Sequence, residues 1–164
     1  MGRILDRFVD GLDYPMFIVT AAGGAPGGEA ARSGCLVGFA TQCSIEPERL
    51  LVCISKKNHT HRLARTARAL GVHVPDAGQR GLAELFGGST GDELDKFARC
   101  RWRDGPAGVP ILTDCPRWLV GEVLERIDLG DHTGFVLAPL EGASAGGTAL
   151  SFSDVADLQA GHEA

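Results

Sequence analysis

A small, mainly β barrel with short helical insertions is the fold class that this sequence predicts. Three observations carry it. Short apolar runs recur between clusters of turn residues. The segment from Trp118 to Asp128 is mixed on both faces. Val120, Glu122, Leu124 and Arg126 alternate with Leu119, Gly121, Val123 and Glu125, a pattern that suits a barrel wall better than an open sheet. Helical patterns are few and short, and the regular strand–helix alternation of a doubly wound parallel fold is missing.

Size and charge narrow the classes further. A chain of 164 residues predicts one domain over 1–164. A chain of that length buries roughly 70% of its unfolded surface. The net charge is −5 and no basic block stands out, which excludes a general nucleic-acid binder. Five cysteines, at positions 35, 43, 53, 100 and 115, include no Cys-x-x-Cys pair. Cys35, Cys43 and Cys53 fall in apolar strand patterns, where a free thiol acts as a small hydrophobe. A reducing, cytoplasmic setting is expected. The N-terminus lacks the apolar run of a signal peptide, and no stretch approaches the ~20 apolar residues of a membrane span, so no membrane association is expected. Met1-Gly2 is followed by Asp6 where myristoylation needs Ser or Thr.

The elements are predicted in order. Residues 1–12 form a short helix or arm. Asp13 to Ala21 is a strand around Met16-Phe17-Ile18-Val19. Residues 22–31 hold four glycines and a proline and form a long, flexible hairpin connection. Ser33 to Thr41 is the second strand and Arg49 to Ser55 the third. From Thr60, Leu63, Ala67 and Leu70 space out an amphipathic helix capped by Asn58 or Thr60. Leu70 to Val74 is a strand ended by Pro75. Gln79 to Phe86 is a helix stopped by Gly87-Gly88. Asp92 to Cys100 is a helix with acidic residues in its first turn. Residues 101–117 are a Pro- and Gly-rich loop, Trp118 to Asp128 a strand, Leu129 to Thr133 a turn and Gly134 to Leu140 a strand. The tail, 153–164, reads as polar, and its last several residues as mobile.

The chemistry concentrates between Gly34 and Leu63. Two apolar runs flank a Glu-Pro turn, and the second ends in Ser55, Lys56, Lys57, Asn58, His59 and Thr60 before a helix. Unpaired backbone N–H groups there, with lysine and hydroxyl donors, suit an anion such as a phosphate. Helix capping beside two solvated lysines explains the same residues, and both readings stand at this point. Gly38 either lets a flat ligand approach closely or marks a bulge. Cys43 is the nearest candidate for a reactive thiol, though nothing in the sequence makes its setting electropositive. His59-x-His61 is weak as a metal pair, and no metal is expected. Gly130-Asp131-His132 is a turn signal before a strand. Phe97 and Trp102 are candidate pocket walls, with simple core packing as the alternative. No Gly-x-Gly-x-x-Gly follows a strand, so no Rossmann site is present.

This order of motifs resembles the flavin reductase family. The likeness runs from the Gly-start strand, the Ser-x-x-Pro loop, the Val-x-Ile strand and the polar Asn/Thr loop through Leu85-Phe86-Gly87-Gly88 and Asp95-Lys96-Phe97. It continues through Gly105-Pro106-Ala107-Gly108-Val109-Pro110 and Gly130-Asp131-His132, covering roughly residues 14 to 152. The resemblance implies a mainly β fold, an FMN-binding split β-barrel of Greek-key type. It implies that Val37, Gly38, Phe39, Ala40, Thr41 and Gln42 lie along the flavin and that Ser55 to Thr60 hold its phosphate. His132 would then border the flavin and the nicotinamide as the catalytic residue. It further implies FMN or FAD as cofactor, NADH or NADPH as co-substrate, a homodimer, and a flavin-dependent monooxygenase as a recipient of reduced flavin. Two departures stand out. The family often carries Thr and Ser where this chain has Leu36, Val37, Gly38 and Phe39, and its tail often ends in aromatic and basic residues where this one reads Phe152-Ser153-Asp154-Val155. A flavin- or haem-binding electron carrier or sensor, and a split-barrel oxidase, are the alternatives.

Overall fold

The computed structural model describes residues 2–23, 31–88 and 95–158. The chain begins with α1 (Ile4–Val9), then β1 (Phe17–Gly23), β2 (Ala31–Val37), β3 (Ala40–Ser44) and β4 (Arg49–Ser55). Next come α2 (His59–Ala64), β5 (Ala69–Val74), α3 (Arg80–Gly87) and a hairpin of β6 (Trp102–Asp104) and β7 (Pro110–Leu112). The long strands β8 (Arg117–Asp128) and β9 (His132–Ser144) follow, and α4 (Phe152–Val155) closes the described chain.

Seven strands pair antiparallel in the order β2-β1-β5-β8-β9-β4-β3. The two ends of that order are consecutive in the chain. Only Gly38 and Phe39 separate β2 from β3, so the sheet has to roll until its edges approach each other. Phe39 stays against β4 on the way, its carbonyl accepting from Cys53 N at 2.9 Å.

Alternation fills the barrel. Val19, Cys35, Val37, Val52, Ile54, Leu70, Val72, Phe135 and Leu137 point into one cluster from five strands. The opposite face of β1 and β2 is covered by α3 and the segment after it, where Ile18, Phe86, Phe97, Leu112 and Cys115 form a second cluster. Two buried hydrogen bonds pin the small hairpin to the barrel. Thr20 Oγ1 donates to Pro110 O at 2.7 Å. Leu112 N donates to His73 Nε2 at 3.0 Å, while His73 Nδ1 lies 3.0 Å from Ile18 O. That arrangement makes the His73 ring neutral, with its proton on Nδ1. Burial pushes its pKa down to about 4.

Several boundaries differ from expectation. The first strand starts at Phe17 rather than Asp13, because residues 14–16 pair with the C-terminal segment instead: Met16 N bonds Leu150 O at 2.8 Å. The single strand expected over 33–41 is two, since the chain leaves β1 at Val37 and joins β4 at Ala40. The expected loop 22–31 is trimmed by both neighbouring strands, and 24–30 lie outside the described residues. The helix expected from Thr60 to Leu70 ends at Ala64, where the Arg126 guanidinium caps the carbonyls of Ala64 and Ala67. Ala67 and Leu70 still reach the core, by a turn and by β5. Of the helix expected over Asp92 to Cys100, Lys96–Arg99 forms one 3₁₀ turn capped by Asp95, and 92–94 lie outside the described residues. The loop expected over 101–117 contains the β6–β7 hairpin, whose three-residue strands leave no readable period. β9 begins already at His132, because that residue pairs with Ser55. The polar tail is packed through Leu158, with Val155 buried against Met16, Ala83 and Leu150, and 159–164 lie outside the described residues.

Candidate functional site

The register of β4 and β9 assembles the site. Ser55, the last residue of β4, pairs with His132, the first residue of β9. One step beyond, Lys56 N donates to Asp131 O at 2.9 Å. The donor loop and the Gly130-Asp131-His132 turn are therefore neighbours, although more than seventy residues separate them in the chain. Gly130 sits at φ +124°, a conformation that side-chain-bearing residues rarely adopt, which explains the glycine at that turn.

These groups open onto a cavity of about 290 Å³ between the end of β2, the end of α3 and the C-terminal segment. Val37, Gly38, Phe39, Ser55, Asn58, His59 and His132 line it, as sequence reasoning had grouped them. His132 Nδ1 lies 2.7 Å from Asp131 Oδ1, and its ring sits 5.2 Å from that of Phe39. The imidazole contact holds the Asp131 carboxyl below its usual range. Asn58 Oδ1 accepts from Thr60 N at 3.0 Å, so its side chain caps α2, and Ser55 Oγ accepts from Lys57 N at 3.3 Å.

Six residues grouped with these from the sequence lie elsewhere. Ala40, Thr41 and Gln42 belong to β3, beyond the cavity lining. Thr41 and Gln42 face outward and bond local backbone carbonyls at 3.1 and 3.2 Å. Lys56 pairs with Asp128 at 2.6 Å on the surface, and Lys57 is exposed beside it. Thr60 is fully buried, its hydroxyl 2.8 Å from that of Ser33. Cys43 is exposed on β3, in a shallow surface cleft with Ile45 and Glu46. Phe97 and Trp102 stack edge to face at 5.7 Å, with Phe97 buried in the second core cluster, and neither lines the cavity. Among the described residues no cluster of His, Cys, Asp or Glu could hold a metal ion.

The cavity also has walls that the sequence did not announce. Tyr14, Met16, Phe152, Val155 and Leu158 form one side, and Phe86, Gly87 and Cys35 another. Most informative is Lys96. It is 5% exposed, and its ammonium donates to Phe86 O at 2.9 Å and Gly34 O at 3.2 Å. Among the described residues it has no carboxylate partner. Burial lowers its pKa. A buried cation held, among the described residues, by two carbonyl dipoles and the face of the Phe86 ring at a cavity wall suits a ligand that brings negative charge. The signal for it was the Asp95-Lys96-Phe97 motif, but nothing local announces that its lysine turns inward. Cys35 lies near the same lysine, and burial nonetheless pushes its thiol up to about 11, so it is no nucleophile there.

Flavin fits this lining on the chemistry of the donors. The walls are largely apolar, as a flat aromatic ring system requires, with a few polar groups among them, Ser55, Asn58, His59, Lys96 and His132. The volume is near the lower end of the range for ligand pockets, enough for a ring system with its polar tail left at the surface loop.

Comparison with known proteins agrees with the geometry. Residues 9–153 match the model of the family described as Flavin reductase like domain. A ferric-chelate reductase (NAD(P)H) of Archaeoglobus fulgidus is 27% identical over 127 residues, covering 76% of this chain and 72% of its own. An FMN reductase (NADH) RutF of Enterobacter sp. (strain 638) is 32% identical over 117 residues, covering 70% and 66%. The crystal structure of an FMN-binding protein from Thermus thermophilus superposes with a TM-score of 0.76 at 26% identity, covering 88% of this chain and 77% of that one.

Proposed function

This chain belongs to the flavin reductase like domain family, and from that membership we propose that it is an NAD(P)H-dependent flavin reductase binding FMN. One observation carries the reading beyond membership. The β4–β9 register brings the donor loop and His132 together on the lining of a largely apolar cavity whose wall holds a buried Lys96 with no carboxylate partner among the described residues. When bound, the flavin supplies the centre that accepts hydride from NADH or NADPH. The chain does the rest. Val37, Gly38 and Phe39 present backbone to the ring. Ser55 and Asn58, with Lys56 and Lys57 at the surface, hold the phosphate. Lys96 balances the negative charge of the reduced ring in a low-dielectric setting. His132, steadied by Asp131, orients the nicotinamide at the mouth. FAD fits the same reading if its adenylate lies outside the cavity.

The assembly is a homodimer. α1 has no buried residue; Ile4, Leu5 and Phe8 are exposed along it, and Leu12 is exposed just beyond its end. Arg3 of that helix feels the charge of Asp131, so the stripe begins beside the cavity mouth, where Phe39 and Leu129 are also exposed. A second copy would cover these residues. Sedimentation should give twice the chain mass at micromolar concentration; a monomer would refute the pairing. Reduced flavin then serves an acceptor, such as a flavin-dependent monooxygenase. No helix among the described residues is long and apolar enough to cross a membrane. The five cysteines are free thiols, in keeping with a reducing cytoplasm.

The test is spectroscopic. The protein mixed with FMN and desalted should keep the absorption bands of oxidised flavin. NADH or NADPH added without oxygen should bleach them. Failure to retain FMN in equilibrium dialysis would end the reading. Retention with bleaching by dithionite alone would make the chain a flavin-binding carrier instead.

A further inference from the structure

The C-terminal segment forms one wall of the cavity through Phe152, Val155 and Leu158. It arrives on backbone bonds: Ala77 N to Thr148 O at 2.8 Å, Leu150 N to Pro75 O at 2.9 Å, and Phe152 N to Tyr14 O at 2.8 Å. Past Phe152 the character of the contacts changes. Phe152, Val155 and Leu158, three apart, turn toward the cavity, and Phe152 stacks on Tyr14 at 4.9 Å. Ser153, Asp154 and Asp157 turn the other way, onto two exposed side chains. Asp13 Oδ1 accepts from Ser153 N at 2.9 Å and Asp13 Oδ2 from Ser153 Oγ at 2.7 Å. Arg80, on α3, reaches Asp157 Oδ2 at 3.0 Å and also donates to the Asp154 carbonyl, while Glu84 steadies it at 2.8 Å.

We propose that residues 152–158 are a strap closed over the cavity by an Arg80–Asp13 clasp, and that opening the clasp is the route by which flavin enters and leaves. The proposal rests on the flavin reading above and deepens it. On its inner side the strap is held by one buried side chain, Val155, and by the partly buried Leu158, so it has little apolar packing to break when it lifts. A wall whose outer contacts are solvent-exposed ion pairs and hydrogen bonds opens readily, since such contacts are individually weak and screened by salt. The chain is thereby built for exchange, with flavin treated as a substrate that departs after reduction. Val155 and Leu158 reseal the wall by their apolar contacts with Met16 and Leu150.

The experiment measures release of bound riboflavin on dilution, by recovery of its fluorescence. Riboflavin is the probe because it carries no phosphate, so salt acts on the clasp and not on ligand charge. Arg80→Ala should speed release about three- to tenfold, and Arg80→Ala with Ser153→Ala further still. Arg80→Lys, which keeps the charge but not the fork, should fall between. Raising salt should speed release from the unaltered protein and leave Arg80→Ala unchanged. Hydrogen exchange in 152–158 should quicken in the variants while the barrel strands keep their protection. Bound-flavin reduction at saturating NAD(P)H should not change. Equal release rates in all four proteins, with equal exchange in the strap, would overturn the clasp. An unaltered protein that holds neither riboflavin nor FMN would instead overturn the flavin reading beneath it.

Discussion

A Cβ added to Gly38 would lie 2.7 Å from Cε2 of Tyr14. The glycine that the sequence offers either to a flat ligand or to a bulge is required by the protein's own aromatic ring. Tyr14 in turn stacks on Phe152, so the bend between β2 and β3 supports the wall opposite it. Gly38→Ala should therefore destabilise the fold by about 1–3 kcal/mol through overpacking. Urea unfolding of Gly38→Ala, Tyr14→Leu and the double variant checks the cause. The double variant should be less destabilised than the sum of the two; strict additivity would mean that the two residues do not interact.

The donor loop makes a prediction about ligand discrimination. Lys56→Ala and Asn58→Ala should weaken FMN more than riboflavin, by roughly 1.5–3 kcal/mol for each charge-assisted contact to the phosphate. Asn58→Ala also removes the cap of α2, which costs about 1 kcal/mol of stability irrespective of ligand. Titrating both flavins against each variant separates the two effects. Equal losses for FMN and riboflavin would move the phosphate away from this loop.

His132 stands at the mouth, 19% exposed and anchored by Asp131. His132→Ala should slow reduction of bound flavin about ten- to a hundredfold, the scale of one positioned contact worth ~1.4–2.8 kcal/mol in the transition state. FMN affinity should stay nearly constant. Anaerobic stopped-flow mixing with NADH reads the step directly, and an unchanged rate would leave His132 as a turn residue only.

His73 links stability to pH. Its ring is neutral when folded, with a pKa of about 4 against the ordinary 6.5. The unfolded chain takes up a proton first as pH falls. The ring's contribution is thus complete above about pH 6.5 and is lost progressively down to pH 4, on the order of 3 kcal/mol across that window. Unfolding free energies at pH 7 and pH 4.5 should show the fall. His73→Gln should flatten this part of the pH profile while lowering stability at pH 7, because the Leu112 N–H and Ile18 carbonyl lose a partner of the right shape. A profile unchanged by the substitution would assign the pH dependence to other groups.

Sequence alone determined the barrel class, the bounds of β4, and the meeting of polar loop with strand at Ser55. Those features are local. A Val-x-Ile alternation, a proline or glycine stop and a cap residue act through bonds a few residues long, so the chain states them openly. It left the strand break at Gly38 hidden, because the apolar run continues across it while the partner strand changes from β1 to β4. It also left Lys96 and the C-terminal wall hidden. The burial of Lys96 comes from Gly34 and Phe86, and the strap's from Tyr14 and Met16 at the other end of the chain. Long-range packing decided which of the candidate residues face one cavity. Thr41 and Gln42 sit only a few residues from Gly38, yet the turn onto β4 carries them to the outer surface, while His132 arrives from a strand far along the chain. Strand register, set by hydrogen bonds between distant segments, brought it there, and no pattern within either segment encodes that pairing by itself.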